Sequence, residues 1–312
     1  MTLPDILSAV LRALSFVLQL QAAGAVFFAA AFGPALTVSL AGVRKLSRVT
    51  AIVAVFTVAA HYILEAARMA GDMSGVLDSS LQNMAWTSNF GGAFTVRELG
   101  LLLIIAGMQP VSAKTTASRF FTSSVGSPIA FVMKRLSARG FTIVGVTGAA
   151  LVAVSFTLMG HTSVNPRRGL LVPLLLTHLL IVAFWFGALW PLCLVTLRES
   201  WERSARIIAV FSVAAFWLVP LILVAGIAIA ALLLPSVAAL RQPYGEFLVA
   251  KSALFAVLLG CAALNKWRLG PALGRGNLQA GRAFRRVVIT EYAIMIVVLS
   301  VTAVMTTFFS PE

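Results

Sequence analysis

Residues 170–194, LLVPLLLTHLLIVAFWFGALWPLCL, form an apolar stretch that contains no carboxylate, ammonium or guanidinium group. A hydrocarbon core about 30 Å thick needs roughly 20 such residues per helical span. The runs are continuous rather than alternating, so strands of a membrane barrel are excluded. We therefore predict an all-α polytopic membrane protein with eight transmembrane helices. The other seven predicted spans are 5–32, 49–70, 93–110, 141–160, 206–234, 246–265 and 286–309.

The charged residues are few and unevenly placed. Charged side chains make up 11% of the chain, and the formal net charge is +14. Soluble domains carry about 25% charged residues. The Lys and Arg residues concentrate in alternate connections, which is the positive-inside pattern and predicts that both termini lie outside the cytoplasm. These basic connections are expected to contact lipid headgroups rather than nucleic acid.

Weak internal similarity recurs at a fixed offset of 154 residues. Arg97 in the third span corresponds to Lys251 in the seventh, and a Phe-Gly pair recurs at the same offset. Four spans separate the copies, so both copies have the same orientation in the membrane. We expect a four-plus-four parallel repeat within one transmembrane domain, 1–312, with halves 1–160 and 161–312.

The three histidines differ in their expected depth. Counting along the helices at about 1.5 Å per residue puts His178 and His61 both about 12 Å below the outer edge of the membrane. His161 lies at the outer rim of the fourth span. We therefore expect His61 and His178, on spans two and five, to share a level.

Side chains suited to copper surround this level. His61, Glu65 and Met69 recur at i, i+4 and i+8 and so share one helix face. Met159 precedes His161 by two residues. Imidazole and thioether groups bind copper, and thioether favours Cu(I). Together with His178 these residues form a candidate outer copper path.

A second candidate site lies near the cytoplasmic ends of spans seven and eight. Cys261 and Asn265 share a helix face at i and i+4. Glu291 enters the membrane core from the cytoplasmic side. These three residues could form an inner exit for the ion. Alternatively, Glu291 pairs with Arg286 or Lys266.

Ordinary structural roles remain open for the outer residues too. Glu65 could pair with Arg68 at the membrane rim, and the methionines could be packing residues. His161 could form hydrogen bonds at a helix end. The sequence has no phosphate-binding glycine loop and no aspartyl-phosphate site, so an ATP-driven pump is not indicated. We expect a protein that is not an enzyme.

Four stretches carry a resemblance to the copper resistance protein D family (CopD/PcoD). THLLIVAFWFGALWPLCL (177–194) looks like the family's helix in which a histidine is followed by tryptophan and Gly-Ala-Leu. YGEFLVAKSALFAVLLGCAALNKWRLGPAL (244–273) is similar to its Tyr-Gly, lysine and Asn-x-x-x-Leu-x-Pro-x-Leu pattern. RRVVITEYAIMIVVLSVTAVM (285–305) looks like its last span, and FGGAFTVRELGLLLI (90–104) like the N-terminal counterpart.

This resemblance implies a multi-pass protein of the bacterial inner membrane that handles copper between periplasm and cytoplasm. It also implies a periplasmic copper-binding partner of the CopC type, and it puts His161 and His178 at family histidine positions. Family members often have a histidine in the first helix. Here that helix offers Ser15, Gln19 and Gln21 instead.

Three functions compete at this point. The first is a copper permease that takes part in copper resistance or uptake. The second is a b-type cytochrome in which His61 and His178 are the axial ligands of one haem b. The third is a non-transporting scaffold that docks a periplasmic copper chaperone through 71–92 and 162–168.

Overall fold

The computed structural model describes residues 2–109, 128–160, 165–234 and 236–309, apart from the side chains of 128–139 and 141. Its helices are α1 (Leu3–Phe32), α2 (Leu40–Ala70), α3 (Ser79–Thr87), α4 (Asn89–Gly107), α5 (Pro128–Ser155), α6 (Arg168–Arg198), α7 (Trp201–Leu233), α8 (Pro243–Leu264), α9 (Gly270–Gly274) and α10 (Leu278–Phe308).

The all-α polytopic membrane fold is confirmed, but the count of eight spans is not. Seven helices in the described part of the chain are long and apolar enough to cross a membrane. The predicted span 141–160 corresponds to the apolar segment Thr142–Leu158, which is shorter than the other seven. Three basic residues, Lys134, Arg135 and Arg139, precede this segment and limit the apolar part of α5.

Several helices extend beyond the apolar stretches that predicted them. Helix α2 begins at Leu40 rather than at residue 49. Hydropathy marks only the segment within hydrocarbon, whereas the backbone stays helical where its ends reach the headgroup region. Helix α2 ends before Gly71, whose φ of 82° lies in the left-handed region that favours glycine.

Helix α1 is central in the fold and packs against α2, α5, α6 and α10. The N-terminal bundle comprises α1, α2, α4 and α5. The C-terminal group comprises α6, α7, α8 and α10, in which α6 packs against α7 and α10, and α10 packs against α8. We call the end where α1 begins and α10 ends the terminal end, and the opposite end the basic end.

The contact between α1 and α6 brings two backbones together. A Cβ atom added at Gly24 would lie 1.8 Å from the carbonyl oxygen of Ala183, and one added at Gly187 would lie 2.4 Å from the Cα of Gly24. Lipid is as apolar as the helix surfaces, so helix association depends on close packing through small residues. This contact therefore joins the N-terminal bundle to the C-terminal group.

Replacing Gly24 by valine is expected to separate α1 from α6. Forcing a larger side chain into a closed contact costs about 3 kcal/mol or more. Unfolding of the purified protein in mixed micelles measures this loss of free energy. The matched control is Gly92→Val, where an added Cβ meets nothing within 4 Å; equal stability of the two variants would contradict the close α1–α6 contact.

A second link joins the two halves at the basic end. The Glu199 carboxylate accepts hydrogen bonds from the backbone N–H groups of Thr37, Val38 and Ser39 at 2.9–3.0 Å and from the hydroxyls of Thr37 and Ser39 at 2.6 Å. The Arg203 guanidinium pairs with it at 3.2 Å. Burial alone would raise the pKa of Glu199, but the hydrogen bonds outweigh it and hold the pKa well below its ordinary value.

This lowered pKa makes the link sensitive to acid. A depressed folded-state pKa contributes stability above the ordinary value of 4.5, and that contribution is lost as the pH falls toward the folded value. We expect Glu199→Gln to lose roughly 2 kcal/mol at pH 7 and to show a smaller acid-dependent loss than the unmutated protein. Thermal unfolding from pH 7 to pH 3 measures both effects. The exposed neighbour Glu202, as Glu202→Gln, is the control; an identical pH profile for Glu199→Gln and the unmutated chain would refute the assignment.

Candidate functional site

A cavity of about 470 Å³ lies in the C-terminal group, toward the basic end. Helices α6, α7, α8 and α10 all contribute to its wall. Most of the lining side chains are apolar or aromatic. The polar residues among them are Ser212, Asn265, Lys266 and Glu291. A largely apolar cavity with a few polar groups is the usual form of a binding site.

Glu291 and Asn265 meet in the wall of this cavity. The Asn265 side-chain amide donates a hydrogen bond of 2.6 Å to Glu291 Oε1. Glu291 is 2% exposed and Asn265 is 8% exposed. The carbonyl oxygen of the Asn265 side chain is buried and has no hydrogen-bond partner among the described residues. The site therefore offers one carboxylate and one free neutral oxygen.

The alternative pairing of Glu291 with a nearby cation is not observed. No ion pair within the described ranges includes Glu291. Lys266 instead places its ammonium 3.4 Å from the centre of the Phe216 ring. This cation–π contact links the end of α8 to α7 and leaves the carboxylate without a positive partner.

A π-helical turn over Asn265–Leu269 positions the asparagine. Pro271 follows closely, and proline has no N–H to continue the hydrogen-bond pattern. The Gly270 N–H donates to the Asn265 carbonyl, five residues earlier. Such π turns within helices are often found at functional sites. Hydropathy alone gives no signal for this turn.

The two cysteines of the chain lie on two of the cavity helices, but neither is among the residues that line the cavity. Cys193 on α6 and Cys261 on α8 are free thiols, and each lies within electrostatic range of Glu291. Cys193 was not among the residues predicted from sequence, where it reads as one small apolar residue in span five. The available signal was that the chain has only two cysteines and that both lie toward the basic end of their helices.

Of the three inner candidates, Asn265 and Glu291 are in contact, and Cys261 lies one helical turn before Asn265 on α8. As the side chains stand, no group of three or more His, Cys, Asp and Glu residues within the described ranges is arranged to hold a metal ion. Metal binding here would require the side chains to move together around Glu291.

The predicted outer residue His61 lies inside the N-terminal bundle. Its ring is 5% exposed, and its Nε2 is 3.2 Å from the Ser8 hydroxyl. Three guanidinium groups, those of Arg12, Arg97 and Arg68, lie within electrostatic range of this ring. Positive charges at short range in a low-dielectric interior disfavour a copper ion at His61.

The other outer candidates are already engaged or lie apart. Glu65 pairs with Arg68 at 3.0 Å, as one of the alternatives anticipated. The Met159 sulfur accepts a hydrogen bond from Arg97 at 3.8 Å. Met69 is exposed at the terminal end. His161 lies outside the described residues.

His178 belongs to a different part of the molecule from His61. Its Nδ1 is 3.2 Å from the carbonyl oxygen of Ile222 on α7, and its ring adjoins Gly226. Lys251 on α8 is within electrostatic range. His61 contacts Ser8 on α1 and Phe90 on α4, whereas His178 contacts Ile222 and adjoins Gly226 on α7, so the two rings have different neighbours. This geometry does not favour one haem held between them.

Residues 205–305 match the family model described as CopD, copper resistance protein D. The expected resemblance to that family is confirmed. The match covers about a third of the chain and includes most of α7, α8, α9 and most of α10. No curated protein and no solved structure matches the chain. The matched residues include Cys261, Asn265 and Glu291. The association of this chain with copper resistance therefore rests on the part that forms most of the cavity wall.

The two thiols are expected to differ in reactivity, because Cys193 is 7% exposed and Cys261 is half-buried. With N-ethylmaleimide, the variant Cys193→Ser, which keeps Cys261, should react roughly tenfold faster than Cys261→Ser, which keeps Cys193. Mass spectrometry of timed samples measures the rates, and the unfolded proteins serve as controls. Equal rates in the folded proteins would contradict the burial of Cys193.

Proposed function

We propose that this protein moves copper across the bacterial inner membrane, as a permease of copper resistance or uptake rather than as an enzyme. The observation that carries the proposal is the overlap between the CopD match and the cavity. Residues 205–305 supply three of the four helical segments that line it, together with Asn265 and Glu291. The segment that matches the family model therefore contains the buried Asn265–Glu291 pair.

The copper-binding step is assigned to Glu291, Asn265, Cys261 and Cys193. Thiolates are soft ligands that select Cu(I), and carboxylate and amide oxygens can complete the coordination of an ion in transit. An unpaired carboxylate inside the membrane attracts a cation strongly because water does not screen it. The two thiols come from α6 and α8 and the carboxylate from α10, so movement between these helices would open or close the site.

Copper is proposed to reach this site through the C-terminal group. His178 lies between α6 and α7 at the terminal-end side of the cavity helices, and it stands at a family histidine position. His161, at the other family position, remains a candidate entrance ligand, and exposed Met69 a candidate contact at the surface. His61, Glu65 and Met159 are left out of this route because they belong to the N-terminal half and do not line the cavity.

The terminal end is proposed to face the periplasm, where a copper-binding partner of the CopC type would dock. Exposed side chains occur there on the segment between α2 and α4, namely Met73, Met84 and Trp86. The same surface supports the scaffold alternative, in which a copper chaperone docks and no ion crosses. Flux measurements separate these two functions.

Copper flux into proteoliposomes that contain the purified protein tests the proposal. We expect Glu291→Gln to lower the initial rate of Cu(I) entry by about tenfold, equivalent to about 1.4 kcal/mol in the barrier, because the amide lacks the charge that attracts the ion. Glu246→Gln, at an exposed carboxylate in the first turn of α8, is the matched control and should transport normally.

Two outcomes would count against this function. Flux no greater than that of protein-free liposomes, together with binding of a periplasmic chaperone, would favour the scaffold. Unchanged flux in Glu291→Gln would remove the assigned site from the route.

A further inference from the structure

Helices α7 and α8 stand apart on either side of the cavity. In the described part of the chain α7 packs against α6 and α9, and α8 packs against α10, but α7 and α8 form no extended contact with each other. Phe216 on α7 and Trp267 in the π turn both line the cavity, and they are 49% and 68% exposed. The cavity therefore opens between these two helices toward the lipid, and a ligand can enter it from the membrane.

The size of the cavity suits an organic molecule. Its volume of about 470 Å³ falls within the range of roughly 300–1,000 Å³ that is usual for small-molecule sites. Gly260 on α8 lines the cavity, and a Cβ atom added there would meet nothing within 4 Å outside its own stretch of helix. A single metal ion at one wall would therefore leave most of this volume to another ligand.

The free polar atom in the cavity wall is a hydrogen-bond acceptor. The Asn265 amide N–H group is turned toward Glu291 by the hydrogen bond between them, so the other amide atom is the carbonyl oxygen, which can only accept. This oxygen is buried and has no partner within the described residues. Buried polar atoms rarely lack a partner. A ligand of this cavity is therefore expected to carry a hydroxyl or N–H group that donates to Asn265.

The charged side chains in the wall favour a neutral ligand. The Glu291 carboxylate and the Lys266 ammonium line the cavity together, so a molecule that fills it comes close to both. The carboxylate disfavours an organic anion, and the ammonium disfavours an organic cation. A zwitterionic lipid headgroup would bring two further charges into a largely apolar space and lose their hydration. A hydroxyl group donates a hydrogen bond without this cost.

The remaining wall favours a flat ring. The aromatic residues that line the cavity come from α6, α7, the π turn and α10, and they are Trp185, Phe211, Phe216, Trp267 and Phe284. Aromatic rings interact favourably with one another in offset-stacked or edge-to-face arrangements, beyond the gain from burying their area. A planar aromatic headgroup therefore gains more from this wall than a flexible alkyl chain does.

We propose that this cavity binds a neutral, membrane-soluble aromatic alcohol of the quinol class. The ring hydroxyl donates to the Asn265 side-chain oxygen, the ring packs among the aromatic side chains, and an alkyl tail leaves between α7 and α8. The proposal concerns binding and includes no redox step. It does not rest on copper transport, although a ligand at Asn265 and a copper ion at Glu291 would exclude each other, because the two residues are in contact.

Binding of two labelled probes to the purified protein in nanodiscs tests this site. The probes are decylhydroquinone and its dimethyl ether, which has the same ring and tail but no hydroxyl donor. Measurements are made under nitrogen and without copper, and protein-free nanodiscs give the background from partition into lipid. We expect decylhydroquinone to bind saturably and about tenfold more tightly than the ether, since the ether lacks the hydrogen bond to Asn265.

Two variants test where the probes bind. Asn265→Leu removes the acceptor and should abolish the preference for decylhydroquinone over its ether. Gly260→Trp should abolish binding of both probes, because its side chain occupies the space that the ring needs. The matched control is Gly169→Trp, at an exposed position in the first turn of α6 where an added Cβ also meets nothing within 4 Å; this variant should bind both probes as the unmutated protein does.

The proposal is overturned if decylhydroquinone does not bind above background, if the two probes bind the unmutated protein equally, or if Gly260→Trp binds decylhydroquinone normally. Displacement by dodecanol as effective as displacement by unlabelled decylhydroquinone would contradict the assignment of a ring. If Asn265→Leu fails to fold, the pair of probes and Gly260→Trp still decide. Copper flux is not part of any readout, so failure here leaves the proposed copper route untouched.

Discussion

The close approach of α1 and α6 is the contact on which the arrangement of the other helices depends. Gly24 faces Ala183 and Gly187 with no room for a side chain between the backbones. In a bilayer the hydrophobic effect does not drive helices together, so association rests on such contacts and on buried hydrogen bonds. Since α1 also packs against α2, α5 and α10, this contact, together with the Glu199 link at the basic end, holds the C-terminal group against the N-terminal bundle.

The two halves differ in what they enclose. In the N-terminal bundle α2 packs directly against α4, and the interior holds the buried side chain of Arg97 and the unpartnered polar atoms of Ser15 and Gln19. In the C-terminal group the cavity lies between α7 and α8, and a carboxylate without a positive partner lines it. The CopD match falls on the C-terminal group, which is why the copper route is assigned there.

Sequence alone predicted the membrane fold because long apolar stretches have no other stable environment than a bilayer. The equal depth of His61 and His178, which was obtained by counting residues, stays a prediction. Depth does not fix the direction in which a side chain points from its helix. The His61 and His178 rings contact different residues. The π turn at Asn265 has no signal in hydropathy, and the contact between Asn265 and Glu291 depends on packing between α8 and α10. Among the inner candidates, Asn265 and Glu291 were predicted and are in contact.

X-ray absorption spectroscopy of the purified protein loaded with Cu(I) tests most directly where copper binds. We expect sulfur ligands in the first coordination shell of the copper ion, and we expect the double variant Cys193→Ser, Cys261→Ser to lose them. A shell of nitrogen ligands alone, unchanged in that double variant, would place copper at the histidines and contradict the assignment to the C-terminal cavity.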